Sequence, residues 1–355
     1  MRFSECLREQ IKMHPSCRAQ DIVKLCYQAA FGAEHMLTAD DARIEAYLRS
    51  EFDTIESSEA PLYEWISPDV ARINLAAWKA RNMPVEWLLR IFTLPRTPID
   101  DAEGKFNGYI AEARSVISEG GVSFSPTDFD AYMVEYRAQG LHAVHHTDEY
   151  RAHEHPAYRI ACREAINALP ILERAASHVF DGKGAYVIAL DGRAASGKST
   201  LGGILGVILS SYPIHMDDFF LPPELRTESR LSEPGGNVHY ERFSEEVLPY
   251  VKCTTPFEYR RFDCSQMALG GMRPIPDGQY RIVEGSYSLH PVFGKYYDLS
   301  VFCDITPEHQ YARVLKRNGE RMARVFASKW IPLEEKYFDT FGIRSRADIV
   351  IRTDV

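Results

Sequence analysis

The chain predicts two domains: a mainly α-helical one over residues 1–180, and an α/β one over 181–355 built as a parallel sheet with helices on both faces. Three observations carry this expectation. At 355 residues the chain exceeds the usual reach of one hydrophobic core. Up to about residue 180 the apolar residues recur at helical spacing, whereas beyond it short apolar runs alternate with helical patterns. Finally, a glycine-rich turn at residues 192–200 joins the apolar run Tyr186–Leu190 to a helical run through Leu201, Ile204, Leu205 and Ile208.

In chain order, Ala19–Phe31 reads as a helix with Ile22, Leu25, Cys26 and Ala29 on one face and Gly32 as its stop. Thr38 with Asp41 resembles a capping box that opens a helix through Ile44, Tyr47 and Leu48. Further helices are expected at 69–80, 84–93, 100–118, 126–138 and 157–178, with Pro84 and Pro126 suiting first-turn positions. Asp181-Gly-Lys-Gly184 marks the domain boundary. The strands expected after it are Tyr186–Leu190, Pro213–Met216, Arg281–Val283, Leu299–Cys303 and Asp348–Ile351.

Composition narrows the class. With 45% hydrophobic and 26% charged residues the chain is an ordinary globular one. A formal net charge of -9 argues against nucleic acid or an anionic membrane as partner. Seven cysteines, an odd number without a C-x-x-C pair, read as thiols of a reducing compartment. The N-terminal residues lack the apolar core of a signal peptide and no run approaches a membrane span, so a cytoplasmic location without membrane contact is expected.

The turn at 192–200 is a phosphate-binding loop in the context such a loop requires, which makes the second domain a P-loop NTPase. Gly192 and Gly197 let the backbone curl so that N–H groups of Ala194, Ala195, Ser196, Gly197, Lys198, Ser199 and Thr200 face phosphate oxygens, and the helix that follows adds its positive end. Lys198 is placed to reach the β- and γ-phosphates, and the Ser199 hydroxyl to ligate Mg²⁺. Ligands of parallel sheets sit at the carboxyl ends of strands. Asp217 and Asp218 follow the second strand and Glu284 follows the third, where a base and a metal-associated carboxylate are needed for phosphoryl transfer. Arg313, Lys316, Arg317, Arg321 and Arg324 crowd one later segment, either as a cationic lid or as a solvated basic face, with Glu320 and Glu334 as possible pairs.

Six pieces of sequence, GRAASGKST, HMDDFF at 215–220, NVHYERF at 237–243, FEYRRFD at 257–263, VEGSY at 283–287 and the Arg-rich segment 313–324, resemble the uridine kinase and phosphoribulokinase group in order and spacing. The resemblance implies an ATP- and Mg²⁺-dependent kinase acting on a hydroxyl of a nucleoside or related small molecule. In that reading Asp217 is the catalytic base and Glu284 the metal-associated acid. Tyr259 lines the acceptor site with Asp218, Glu241, Arg260 and Arg261 nearby, and Arg313, Arg321 and Arg324 belong to the lid. The chain departs from the group in reading Asp-Asp-Phe-Phe where uridine kinases carry Asp-Ser-Phe-Tyr. It also lacks the acceptor-side histidine of nucleoside-specific members. Arg260 and Arg261 stand there instead, favouring an anionic or strongly polar acceptor such as a sugar phosphate or other polyol. A P-loop ATPase or switch coupled to the helical domain is the alternative, although the Asn-Lys-x-Asp guanine motif and the transporter signature are absent.

The helical half resembles no family of stated function. Its one chemically suggestive cluster is His142, His145, His146, His153 and His155. His142 and His146 have the spacing of one helical face that could bind a transition metal, but such a run also suits a polar connector. Trp65, Trp78, Trp87, Tyr132 and Tyr136 read as core aromatics.

Overall fold

The computed structural model describes residues 2–32, 41–94, 101–182, 184–263 and 266–354. The chain divides into two compact units, Met1–Ile166 and Asn167–Val355. The division therefore falls earlier than the 181–184 segment.

In the first unit the elements run α1 (Phe3–Met13), α2 (Ala19–Phe31), α3 (Asp41–Thr54), β1 (Tyr63–Trp65), β2 (Val70–Asn74), α4 (Leu75–Ala80), α5 (Val85–Phe92), α6 (Ala102–Ser118), α7 (Pro126–Ala138), α8 (Asp148–Glu154) and β3 (Tyr158–Cys162). Helix α2 buries Ile22, Leu25, Cys26 and Ala29 as its spacing requires, and ends at Gly32, whose φ of 62° suits glycine. The expected Thr38 cap lies outside the described residues. Helix α7 starts at Pro126 behind Ser125, whose hydroxyl accepts from the Asp128 N–H at 3.2 Å. The core of this unit gathers Leu7, Ile22, Leu25, Phe106, Ile110, Phe129, Met133 and Tyr136. Trp78 and Trp87 are buried as well.

Two expected helices are corrected. Residues 70–74 and 158–162 are strands, joined with β1 in an antiparallel sheet of order β1-β2-β3, and only Leu75–Ala80 and Arg163–Ala176 (α9) are helical. Val70, Ile73 and Ala77 do fall at helical spacing. Pairing of Val70 with Cys162 and of Ile73 with Arg159 buries the strand on both faces, and tertiary contact outweighs local periodicity.

After α9, which spans the division, the second unit runs β4 (Tyr186–Gly192), α10 (Lys198–Leu209), β5 (Ile214–His215), α11 (Glu228–Ser232), α12 (Tyr240–Glu246), β6 (Phe257–Asp263), β7 (Ala268–Ile275), β8 (Tyr280–Glu284), β9 (Leu299–Asp304), α13 (Pro307–Val325), α14 (Ile331–Phe341), α15 (Ile343–Arg346) and β10 (Ile349–Arg352). Five strands form one parallel sheet in the order β10-β9-β4-β8-β5, and all five expected strands are among them. All seven residues of β4 are buried, as befits a central strand covered on both sides. Val187, Ala189 and Val283 face a core with Phe243, Tyr337 and Phe338, while Gly202 of α10 lies close to Leu190 and Glu284 on the other face. The pair β6–β7 is an antiparallel hairpin that the sequence reading left unassigned.

The glycine-rich loop leaves β4 at a point where only glycine fits. Gly192 has φ 136°, and a Cβ there would stand 2.1 Å from the Cys303 carbonyl oxygen of β9. Gly192→Ala is therefore expected to destabilise the second unit by at least ~2 kcal/mol, combining backbone strain with a clash against fixed backbone. Thermal unfolding of the variant checks this, and an unchanged midpoint would contradict the geometry.

Candidate active site

Strand register brings the candidate residues level. Leu190 pairs with Glu284, His215 pairs with Glu284, and Gly192 pairs with Cys303, so the loop, Glu284 and the turn after β5 share the carboxyl edge of the sheet. Gly197, with φ 89°, caps α10 in a left-handed conformation and lets Lys198 begin the helix. The Lys198 ammonium is folded into the curl, donating to the carbonyls of Gly192 at 2.7 Å and Arg193 at 2.8 Å. The Ser199 hydroxyl donates to Glu284 Oε2 at 3.0 Å, and Glu284 Oε1 is hydrogen-bonded to His215 Nδ1. Glu284 is buried; Ser199 and Thr200 are exposed.

Asp217 and Asp218 sit in a 3₁₀ turn, Met216–Phe219, and their side chains part company. The Asp217 side chain is solvent-accessible, yet protein atoms surround it at a wider radius. Desolvation lifts its carboxyl above the usual range, Glu284 adds repulsion, and Lys198 and His215 oppose both. Asp218 is buried and accepts the Tyr259 hydroxyl at 2.8 Å, with Arg273 at 3.4 Å. Tyr259 is itself fully buried, stacks on Phe219 and receives the His215 N–H at 3.3 Å, so it braces the turn that carries Asp217. Tyr259→Phe is expected to lower stability by about 1–3 kcal/mol, since it leaves a buried carboxylate short of a donor. Denaturant unfolding with an unchanged midpoint would contradict that bracing role.

The remaining candidates are distributed more widely. Arg260 and Arg261 are exposed on β6, between buried Tyr259 and buried Phe262. Glu241 is held by both guanidinium nitrogens of Arg230, at 2.8 and 3.0 Å. Arg313 binds the glycine-rich loop, donating to the Ala195 carbonyl at 3.3 Å, and also donates to the Thr353 carbonyl at 2.6 Å. Arg321 and Arg324 lie beyond a break at Gly319, where φ is 74°, and are exposed; Arg324 pairs with Glu320. The structure thus brings Lys198, Ser199, Glu284 and Asp217 together, with Arg313 at the loop. It does not gather Arg321 and Arg324 there.

Several supporting residues escaped the sequence reading. Asp191, fully buried at the end of β4, accepts the N–H groups of Tyr287 at 3.1 Å and Leu289 at 3.0 Å and the Tyr337 hydroxyl at 2.8 Å. Burial raises its pKa against those donors. Glu334 of α14, read in the sequence as a pair for the lid arginines, forms no ion pair among the described residues: its carboxylate accepts the loop N–H of Ala194 at 2.9 Å and the Ser286 hydroxyl at 2.8 Å. Burial pushes its pKa up, and the nearby Lys198 charge pulls it back. Arg193 of the loop pairs with Glu335 and Asp304.

In the first unit the histidine run disperses. Residues 142–147 are not helical. His142 bonds the Gly140 carbonyl, His146 bonds Asp21 and Tyr158, and His153 bonds the Glu149 carbonyl. No helix among the described residues is long and apolar enough to cross a membrane.

No family model matches the chain, and no curated protein matches it. Solved structures do. A possible uridine kinase from Bacillus stearothermophilus aligns with a TM-score of 0.40 at 19% identity, over 52% of this chain and 97% of that one. A putative fructose transport system kinase from Silicibacter sp. TM1040 aligns with a TM-score of 0.42 at 21% identity, over 53% and 97%. D-glycerate 3-kinase from Cryptococcus neoformans aligns with a TM-score of 0.36 at 13% identity, over 50% and 87%.

Proposed function

We propose that the second unit is a small-molecule kinase that transfers the γ-phosphate of ATP to a hydroxyl group. The observation that supports this reading best is the convergence of Lys198, the Ser199–Glu284 pair and the accessible carboxylate of Asp217 at one edge of the sheet. The loop N–H groups and Lys198 hold the β- and γ-phosphates. Asp217 orients the acceptor hydroxyl and takes its proton as the phosphoryl group moves across. The oxygen donors Ser199 and Glu284, already adjacent, suit a hard cation. Mg²⁺ held there would supply neutralisation of the phosphate charge.

The acceptor is a nucleoside or another polyol. Arg260 and Arg261 are exposed on β6, Arg261 with Asp263 3.7 Å from its guanidinium, and this pair of cations favours a polar or phosphorylated one. ADP release measured with and without a panel of nucleosides, sugars and sugar phosphates tests the proposal. Acceptor-dependent release is the expected result. Acceptor-independent release assigns an ATPase, and bound nucleotide without turnover assigns a scaffold.

A further inference from the structure

One side chain at the edge of the sheet has a fixed place and no task in phosphoryl transfer as described. His215 ends β5, two residues before Asp217, and its ring lies against the carboxylate of Glu284. Parallel pairing sets His215 level with Glu284 on the neighbouring strand, so both side chains leave the sheet on one face. The main chain of His215 is held as well, because its N–H is donated to the Tyr259 hydroxyl at 3.3 Å.

Glu284 is a long side chain confined to one orientation. Its stem packs against α10, where a Cβ on Gly202 would stand 3.1 Å from Glu284 Cγ. Its two oxygens are divided between two donors: Oε2 accepts the Ser199 hydroxyl at 3.0 Å, and Oε1 meets His215 Nδ1. A carboxylate only accepts, so the proton of the second bond sits on Nδ1. Glu284 is 3% exposed, and an oxygen shut away from water depends on the donor that the protein gives it. Among the described residues, His215 is the donor that meets Oε1.

The kind of donor matters for a carboxylate that is to attract a cation. Lysine or arginine in this place would bring a permanent charge and cancel that attraction, whereas an imidazole N–H donates without requiring one. We propose that His215 is a positioning residue of the kinase: its Nδ1–H holds Glu284 Oε1, so that Oε2 stays turned to Ser199 and the two oxygens present one prepared edge to a divalent cation. This inference rests on the kinase reading and extends it to a residue that the sequence pattern did not mark. His215 acts through Glu284 and is required to touch neither nucleotide nor acceptor.

Mn²⁺ titrated into the full chain with a non-hydrolysable ATP analogue, and read by electron paramagnetic resonance, tests the role without turnover. Asparagine and leucine have one shape, but only asparagine carries an N–H on the atom that corresponds to imidazole Nδ1. His215→Leu is expected to weaken Mn²⁺ binding by about tenfold, and His215→Asn to hold it within about threefold of the wild type. A side chain that merely filled space would not separate these two variants. The position is 34% exposed, and melting midpoints taken without metal check that both variants fold. Should His215→Leu fail to fold, His215→Ala, which also lacks the donor, takes its place with the same expectation. Wild-type Mn²⁺ affinity in a folded donorless variant, or His215→Asn binding no better than His215→Leu, would overturn the role of His215 and leave the kinase reading standing. A wild-type chain that binds no Mn²⁺ with the nucleotide would overturn the kinase reading, and this inference with it.

Discussion

Lys198→Ala is expected to abolish phosphoryl transfer, with a loss of about 10³-fold or more, in protein that still folds. The ammonium lies within the curl of the loop, 2.7 and 2.8 Å from the Gly192 and Arg193 carbonyls, where phosphate charge would be received. Its removal takes away two hydrogen bonds to loop carbonyls, worth ~1 kcal/mol each, which a folded domain of ordinary stability tolerates. Gly192 and Gly197, at φ 136° and 89°, keep their access to these angles in the variant because neither carries a Cβ. Turnover by ADP release, set beside near-ultraviolet circular dichroism and a melting curve, separates the two effects. Near-normal turnover would remove the phosphate-loop assignment. A collapse of the near-ultraviolet signal would show instead that the ammonium is structural.

The loop was legible because everything that makes it is local: an apolar strand, two glycines at fixed offsets, a lysine and a helix start. Asp217 and Glu284 were legible for a related reason, since parallel sheets put their chemistry at strand ends and both residues stand there. What stayed hidden depends on distant pairing. Tyr259 reads as a site aromatic in sequence, yet the fold directs its hydroxyl to Asp218, 41 residues away. Glu334 reads as a partner for neighbouring arginines, yet it meets the Ala194 N–H across 140 residues. Strand β2 satisfies a helical period, and only its pairing with β3 decides otherwise.

The choice between the two aspartates of the turn yields the second large effect. Asp217→Asn is expected to lower turnover by about 10²–10⁴-fold while leaving ATP binding and the melting temperature nearly unchanged. The amide matches the carboxylate in size but cannot accept the hydroxyl proton, and the accessible Asp217 side chain does no structural holding at hydrogen-bonding distance among the described residues. Asp218→Asn should behave in the opposite way. Its carboxylate is buried, accepts the Tyr259 hydroxyl and faces Arg273, so the amide leaves a cation undercompensated and is expected to lower stability by ~1–3 kcal/mol. Any loss of turnover in this variant should then accompany the loss of stability, because the turn that positions Asp217 has loosened. The decisive comparison sets kcat against the melting midpoint for both variants. If Asp218→Asn lost the greater share of kcat with an unshifted midpoint, the base would be Asp218, and the Tyr259 hydroxyl bound to it would belong to the reacting machinery rather than to the support of the turn.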